Sequence, residues 1–224
     1  MLARFVRKAP IHRDCGSVAG RSFTVQQFPV ADDIPAVFHL VAIAASAGGL
    51  SALVAVLTRL PRSFPLPIAL VQHIDPNRVS VVPQILGRRT ALLVKHAEHD
   101  EIMIPGVVYV APPALHLQIA DDGHVVLNSD DPVRFLRPCA DRLFASAASA
   151  LGPIIGVVLT GTGSDGATGA QAIKRFGGLV IAQDEATSAF FGMPQAAIRR
   201  GAVDRILPLG DIGPTLELLA QIHS

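Results

Sequence analysis

The stretch L-V-A-I-A-A-S-A-G-G-L at positions 40–50 decides the fold. Six apolar residues end at Ser46, and the small residues Ala47-Gly48-Gly49 then lead into a run with helical spacing. A short apolar run that stops at small residues is typical of a buried parallel strand entering a tight turn and a helix. We expect this turn to hold the Ser46 hydroxyl at the edge of a sheet, beside the free N–H groups of a helix start.

The residues A-A-S-A-G at 44–48 partly match the G-x-S-x-G nucleophile elbow of serine hydrolases, with alanine in place of the first glycine. A nucleophilic Ser46 is one interpretation of this turn. The other interpretations are glycines that hold a phosphate or serve packing, with Ser46 as the N-cap of the following helix.

Strand-like and helix-like segments alternate from Phe38 onward. Around the turn Asp121-Asp122-Gly123, the residues from Val107 to Ser129 form alternating runs, which predict an antiparallel insert with a hairpin. We therefore expect an α/β fold with three layers: a doubly wound, mostly parallel sheet that carries this insert. Buried strands are predicted at 67–72, 91–95, 154–160 and 179–183, and helices at 50–60, 79–88, 138–151, 194–200 and 213–222, with one more helix between Gly166 and Phe176.

The composition favours one large domain in a reducing compartment. The chain has 224 residues, of which 50% are hydrophobic and 17% charged, and its net charge is +1. This balance argues against nucleic acid as a partner, and the lack of an apolar run of roughly 20 residues argues against membrane insertion. Cys15 and Cys139 suit neither a disulfide framework nor a metal site, so we expect a cytoplasmic protein. Residues 1–36 are predicted to be a poorly ordered leader before one domain at 37–224.

Three residues of complementary chemistry follow predicted strands: Ser46, His73 and Asp165. The carboxyl ends of parallel strands meet at one edge of a sheet, where α/β folds bind ligands. A serine nucleophile needs a base, imidazole suits that task at pH 7, and a carboxylate fixes the tautomer of the imidazole. Each residue could instead cap a helix or a strand end, but their shared position favours a Ser–His–Asp triad. The turn after Ser46 and the G-T-G sequence at 161–163 would supply N–H donors to an oxyanion.

Seven motifs then occur in a fixed order: V-A-I-A-A-S-A-G-G at 41–49, V-Q-H at 71–73, P-G-V-V-Y-V-A-P-P at 105–113, R-P-C-A-D-R-L-F at 137–144, L-T-G-T-G-S-D-G at 159–166, A-Q-D-E-A-T at 182–187 and F-G-M-P at 191–194. In this order they resemble the catalytic domain of CheB-type protein-glutamate methylesterases of bacterial chemotaxis. The resemblance runs from about Phe38 to Ile212.

The resemblance implies that Ser46 is the nucleophile, His73 the base and Asp165 the orienting acid of a serine hydrolase. The implied reaction removes glutamate γ-methyl esters, and also deamidates glutamine, on a methylated chemoreceptor or related signalling protein. It needs no cofactor and no metal. The backbone N–H groups near Ala47 and Thr162 are then expected to bind the oxyanion.

Two further residues have two interpretations each. His116 lies in an A-P-x-x-x-H element and either borders the substrate cleft or is a surface residue of the hairpin. Arg137 either holds the loops of the cleft together, with Asp141, or binds substrate. The run from His96 to Glu101 has metal-ligating side chains, but its position after a strand favours a solvated charge run.

The sequence also departs from the family pattern. The usual G-A-S-T-G-G is A-A-S-A-G-G here, G-M-G is G-T-G, and R-P-S-V-D is R-P-C-A-D. Members that respond to phosphorylation carry an N-terminal receiver domain, which 36 residues cannot form, so we expect activity independent of phosphorylation. Two alternatives to the methylesterase remain: a non-catalytic module that binds an anion at its glycine turns, and a carboxylesterase of relaxed specificity.

Overall fold

A seven-stranded parallel sheet forms the centre of the described domain, in the strand order β3-β4-β2-β1-β7-β8-β9. The computed structural model describes residues 37–74, 79–133 and 135–221, and the leader predicted at 1–36 lies outside them. In chain order the elements are β1 (Val41–Ala45), α1 (Gly49–Leu57), β2 (Ile68–Gln72), α2 (Val82–Gly87), β3 (Leu93–His96), β4 (Val107–Val110), β5 (His116–Ile119), β6 (Val125–Asn128), α3 (Ala140–Leu151), β7 (Ile155–Val158), α4 (Ala167–Arg175), β8 (Leu179–Gln183), α5 (Gly192–Arg199), β9 (Arg205–Leu207) and α6 (Leu209–Gln221).

Helices cover both faces of the sheet, because its central strands are apolar on both sides. In β1 every residue is buried, and alternate side chains serve opposite cores: Val41 and Ile43 on one face, Ala42 and Ala44 on the other. The first core includes α1, α2 and α6, and the second includes α3, α4, α5 and the β5–β6 hairpin. The predicted three-layer, doubly wound fold is confirmed.

The antiparallel insert predicted in the section from Val107 to Ser129 is confirmed for the hairpin, but it is shorter than that section. β4, at the start of the section, pairs in parallel with β2 and β3 inside the main sheet. All four residues of β4 are buried, which is typical of an internal parallel strand. The antiparallel pair of strands consists of β5 and β6, on either side of the Asp-Asp-Gly turn.

Two elements near the carboxyl terminus also differ from the prediction. Strand β9 was missed, because three half-exposed residues at a sheet edge are too short to produce a periodic pattern. Helix α6 begins at Leu209 rather than at Gly213, and Pro214 lies inside it. Gly213-Pro214 therefore does not mark the start of this helix.

Within the described parts of the chain, no helix is both long and apolar enough to cross a membrane. The longest helix, α6, has 13 residues, whereas a membrane span needs roughly 20.

Candidate active site

Neighbouring strands bring Ser46 and His73 to the same edge of the sheet. Ala45 in β1 is the register partner of Gln72 in β2, so Ser46 and His73 each come one residue after a paired position. The His73 N–H donates to the Ala45 carbonyl at 3.0 Å. On the other side of β1, the Ser46 N–H donates to the Thr160 carbonyl at 3.0 Å, which joins Ser46 to the chain leaving β7.

The turn after Ser46 is fixed by its own backbone and by Thr160. The Gly49 N–H donates to the Ser46 carbonyl at 2.8 Å, and the Thr160 hydroxyl donates to the Ala47 carbonyl at 3.1 Å. Gly48 has a φ of 75°, in the left-handed region that favours glycine. A tight turn therefore leads from Ser46 directly into α1.

Asp165 is enclosed by hydrogen-bond donors, and its side chain is only 4% exposed. Oδ2 accepts from His73 Nε2 at 2.8 Å and from the Ala140 N–H at 2.6 Å. Oδ1 accepts from the N–H groups of Asp141 and Gly166, both at 3.0 Å, and from the Cys139 thiol at 3.1 Å. The carboxylate thus lies at the amino terminus of α3, where unpaired N–H groups and the helix dipole favour negative charge.

These contacts keep Asp165 ionised although it is buried. Burial alone would raise the pKa of this carboxyl group, but the hydrogen bonds from His73, Ala140 and Asp141 outweigh it and lower the pKa to about 2. The burial of Cys139 itself, together with the charge of Asp165, raises the pKa of the Cys139 thiol to about 12. Cys139 is therefore a thiol donor to the carboxylate and not a thiolate nucleophile.

The contact with Asp165 determines which nitrogen of His73 is available to Ser46. Since Nε2 is 2.8 Å from Asp165 Oδ2, Nδ1 is the nitrogen left for Ser46. Among the described residues, no hydrogen bond joins Ser46 Oγ to the imidazole. Such a bond often forms only when substrate is bound.

The N–H groups predicted to bind an oxyanion have no acceptor of their own. Over the described part of the chain, the amides of Ala47 and Thr162 donate to no carbonyl or side chain. Ala47 follows Ser46 directly, and Thr162 comes two residues after Thr160, whose carbonyl accepts from the Ser46 N–H. Thr162 is exposed.

Arg137 and His116 support the loop before α3. Arg137 Nη1 donates to the carbonyls of Ser129 and Asp130 at 2.7 and 3.1 Å, so this guanidinium holds the loop together. His116 is fully buried, and its Nε2 is 3.3 Å from the Asp131 carbonyl. The alternative that His116 is a surface residue of the hairpin was therefore wrong. Burial is the main cause that lowers the pKa of His116.

The charged run at 96–101 is occupied by its own contacts. Lys95 forms ion pairs with Glu98 and Glu101 at 2.7 and 2.9 Å, and His99 Nδ1 accepts from the Leu127 N–H at 3.2 Å. The hydrogen bonds of Lys95 with Glu98 and Glu101 raise the pKa of its ammonium group. In the described residues, Cys139, Asp141 and Asp165 are the group whose atoms are close enough to hold a metal, but Asp165 already accepts five donors.

The sequence did not reveal the side chains that hold the strand ends together. Gln72 Nε2 donates to the carbonyls of Ser46 and His73, at 2.9 and 3.0 Å. Gln183 Oε1 accepts from the Thr160 N–H at 2.9 Å. Both glutamines are buried at the last position of a strand. A polar residue that ends an otherwise apolar run was the available signal.

The fold and this site together define a doubly wound α/β domain with a serine, a histidine and an aspartate at the carboxyl edge of its sheet, an arrangement typical of serine hydrolases. The family model described as CheB methylesterase matches residues 41–216. The chain belongs to this family, as its motifs predicted.

Relatives and one solved structure agree with the family model. The protein-glutamate methylesterase FrzG of Myxococcus xanthus is 46% identical over 183 residues, which cover 81% of this chain and 55% of that protein. A protein-glutamate methylesterase/protein-glutamine glutaminase of Carboxydothermus hydrogenoformans is 45% identical, covering 82% of this chain and 55% of that protein. The chain thus spans about half the length of these curated relatives.

The solved structure is the catalytic domain of the Thermotoga maritima CheB methylesterase. It superimposes with a TM-score of 0.78 at 38% sequence identity. The match covers 81% of this chain and 98% of that domain. The described part of the chain therefore has the fold of a complete methylesterase catalytic domain.

Proposed function

We propose that this protein is a serine hydrolase that removes the γ-methyl ester of glutamate residues on a methylated chemoreceptor or related signalling protein, in the cytoplasm. The observation that carries the proposal is the His73–Asp165 pair, with 2.8 Å between Nε2 and Oδ2, at the end of the strand next to Ser46. The names of the relatives, which specify protein-glutamate methylesterases, support the choice of substrate.

In the first half of the reaction, Ser46 Oγ attacks the ester carbonyl while His73 Nδ1 takes its proton. The ionised Asp165 stabilises the imidazolium that forms and keeps the ring oriented. The N–H groups of Ala47 and Thr162 bind the tetrahedral oxyanion, where one such donor contributes roughly 3–4 kcal/mol. His73 then protonates the leaving methoxide, methanol departs, and the glutamyl group remains as an ester on Ser46.

In the second half, water replaces the alcohol. His73 Nδ1 accepts a proton from the water as it attacks the glutamyl ester, and the collapse of the second tetrahedral intermediate returns the proton to Ser46. The products are a glutamate carboxylate and the free enzyme. Deamidation of glutamine follows the same path with ammonia as the leaving group.

The test is methanol release from receptor membranes that carry labelled methyl esters. We expect the intact chain to release labelled methanol and the Ser46→Ala variant to release none above background. A wild-type chain that folds but releases no methanol contradicts the proposal.

Two parallel measurements separate the alternatives. A fluorophosphonate probe that labels Ser46 excludes the non-catalytic module, since only an activated serine reacts. A panel of small soluble esters excludes the relaxed carboxylesterase if the methylated receptor is hydrolysed with a far higher kcat/KM.

A further inference from the structure

Phe135 is the most exposed large apolar side chain in the described residues, with 99% of its surface accessible. It lies in the loop between β6 and α3. Together with His73 and Arg137 it lines a cavity of about 100 Å³, several times the roughly 10–15 Å³ that one water needs. A group that enters this cavity lies against both Phe135 and His73.

The backbone holds Phe135 in an unfavourable conformation. Its φ is 68°, in the left-handed region that bulky residues rarely adopt. Two hydrogen bonds close the turn around it, from the Val133 N–H to the Leu136 carbonyl at 3.1 Å and from the Leu136 N–H to the Val133 carbonyl at 2.9 Å. A strained residue that the surrounding structure holds in place points to a function at that position.

The base of the loop is also fixed. Arg142 forms an ion pair with Asp130 at 2.7 Å, in addition to the contacts of Arg137 with the carbonyls of Ser129 and Asp130. The ring is therefore presented to solvent by a loop whose base is held by these contacts. A phenylalanine side chain has only two χ angles, so it loses little conformational entropy when a partner covers it.

A second exposed phenylalanine lies on the other side of Ser46. Phe190 is 48% exposed, and its backbone is joined to the end of β7: its N–H donates to the Thr160 hydroxyl at 2.8 Å, and its carbonyl accepts from the Gly161 N–H at 2.8 Å. Phe135 lies next to His73, which follows β2, and β1 lies between β2 and β7. In the order of the strands, the end of β1, where Ser46 is, therefore lies between these two phenylalanines.

We propose that Phe135 is a substrate-docking residue, which packs against an aliphatic side chain of the polypeptide segment that carries the glutamate ester. This inference rests on the proposed function and specifies how the same site distinguishes a protein ester from a small ester. A small ester reaches Ser46 without crossing both rings, so the contact with Phe135 contributes to the protein substrate alone.

The experiment compares Phe135→Asn with wild type on two substrates, methylated receptor membranes and p-nitrophenyl acetate. Asparagine tolerates a positive φ, so the turn is kept while the ring is removed. We expect the ratio of kcat/KM for the receptor to kcat/KM for the small ester to fall by roughly thirty-fold, because that is the typical loss when one aromatic hot spot is removed. The fall should come mainly from a higher KM for the receptor. Phe135→Tyr is expected to restore the ratio, and Phe135→Gly serves as a second variant that tolerates the same backbone.

Phe176→Asn is the matched control. Phe176 is 40% exposed and follows α4 at the end of that helix away from Asp165, so we expect its replacement to leave the ratio unchanged. An unchanged ratio in both Phe135→Asn and Phe135→Gly overturns the docking proposal, as does an equal loss on both substrates. If wild type hydrolyses the small ester but releases no methanol from the receptor, the proposed function itself is wrong and the docking proposal falls with it.

Discussion

Two sides of the site differ in how much of their geometry exists before substrate binds. The acid side is Asp165 with His73, and the nucleophile side is Ser46, the predicted nucleophile. On the acid side, four donors besides His73 hold Asp165, and Asp165 in turn holds His73 Nε2. On the nucleophile side, the backbone of Ser46 is fixed, but its Oγ makes no hydrogen bond to His73 in the described residues. The difference teaches that a fold can complete the orientation of a base in advance, whereas a nucleophile must stay free to reach the carbonyl.

The largest effect is expected at the nucleophile. Ser46→Ala should lower methanol release by roughly 10⁶-fold, as for the same change in serine proteases, because no other group forms the acyl-enzyme. The backbone contacts of Ser46 do not need its side chain, so the thermal midpoint of unfolding should stay near that of wild type. Turnover in a folded Ser46→Ala variant would identify another residue as the nucleophile.

Asp165→Asn tests whether the acid side acts by orienting His73. An amide at this position presents an N–H and leaves the imidazole in the wrong tautomer, so kcat should fall by roughly 10⁴-fold. Asp184→Asn is the matched control, because Asp184 accepts from Thr187 in its own loop. A larger loss in Asp184→Asn would mean that the carboxylate has been assigned wrongly.

Gly161→Ala tests how much freedom the nucleophile has. A Cβ at this position would lie 2.8 Å from the Cβ of Ser46 and would also meet Met193. Because a displacement of about 1 Å can cost about 10²-fold in rate, we expect a loss of that order in kcat with the fold retained. Gly210→Ala, whose Cβ would meet nothing within 4 Å, should be active; equal activity of the two variants would contradict a tight nucleophile site.

The low pKa of Asp165 links the acid side to stability. The folded pKa of about 2 lies below the ordinary value of 3.8, so the charged carboxylate stabilises the fold above about pH 4 and loses this effect as the pH falls toward 2. Wild type should therefore have a larger free energy of unfolding than Asp165→Asn, and this difference should decrease by about 1 kcal/mol as the pH is lowered from about 6 to about 3. Urea unfolding at several pH values measures the difference. A difference that increases toward low pH would contradict the prediction.

The smallest effect is expected from the weakest donor on the acid side. Cys139→Ala removes only a thiol hydrogen bond and leaves four stronger donors on Asp165, so kcat should change by less than about threefold. Steady-state kinetics on methylated receptor measures kcat of this variant. Cys139→Ser, which keeps a hydrogen-bond donor at this position, is the control. A hundred-fold loss in the alanine variant alone would show that the donors are not redundant.

The sequence predicted much of the fold and the positions of the site residues, for identifiable reasons. Ser46, His73 and Asp165 each follow an apolar run of strand length, and parallel strands place their carboxyl ends at one edge. The family, predicted from ordered motifs, is confirmed by the match at residues 41–216. The catalytic roles of the three residues remain predictions, as do the oxyanion roles of Ala47 and Thr162.

Three of the five donors to Asp165 could not be predicted. These three come from the start of α3, 24 to 26 residues earlier in the chain, and nothing in the local pattern there indicates a partner. They reach Asp165 because α3 and α4 pack closely: a Cβ on Gly169 would lie 2.9 Å from the Asp141 carbonyl, and the Gly169 N–H donates to Asp141 Oδ1 at 2.7 Å. Contacts of this kind depend on how two helices pack, which hydrophobic periodicity does not specify.

The sequence by itself determined the family, the alternation of strands and helices, and the edge of the sheet where Ser46, His73 and Asp165 meet, because short-range periodicity and strand direction fix those features. Only the tertiary structure decided that β4 belongs to the main sheet, that His73 uses Nε2 for Asp165, and that Phe135 stands exposed beside His73. Each of these depends on contacts between segments distant in the chain, whose pairing, side-chain orientation and exposure are set when the whole domain packs.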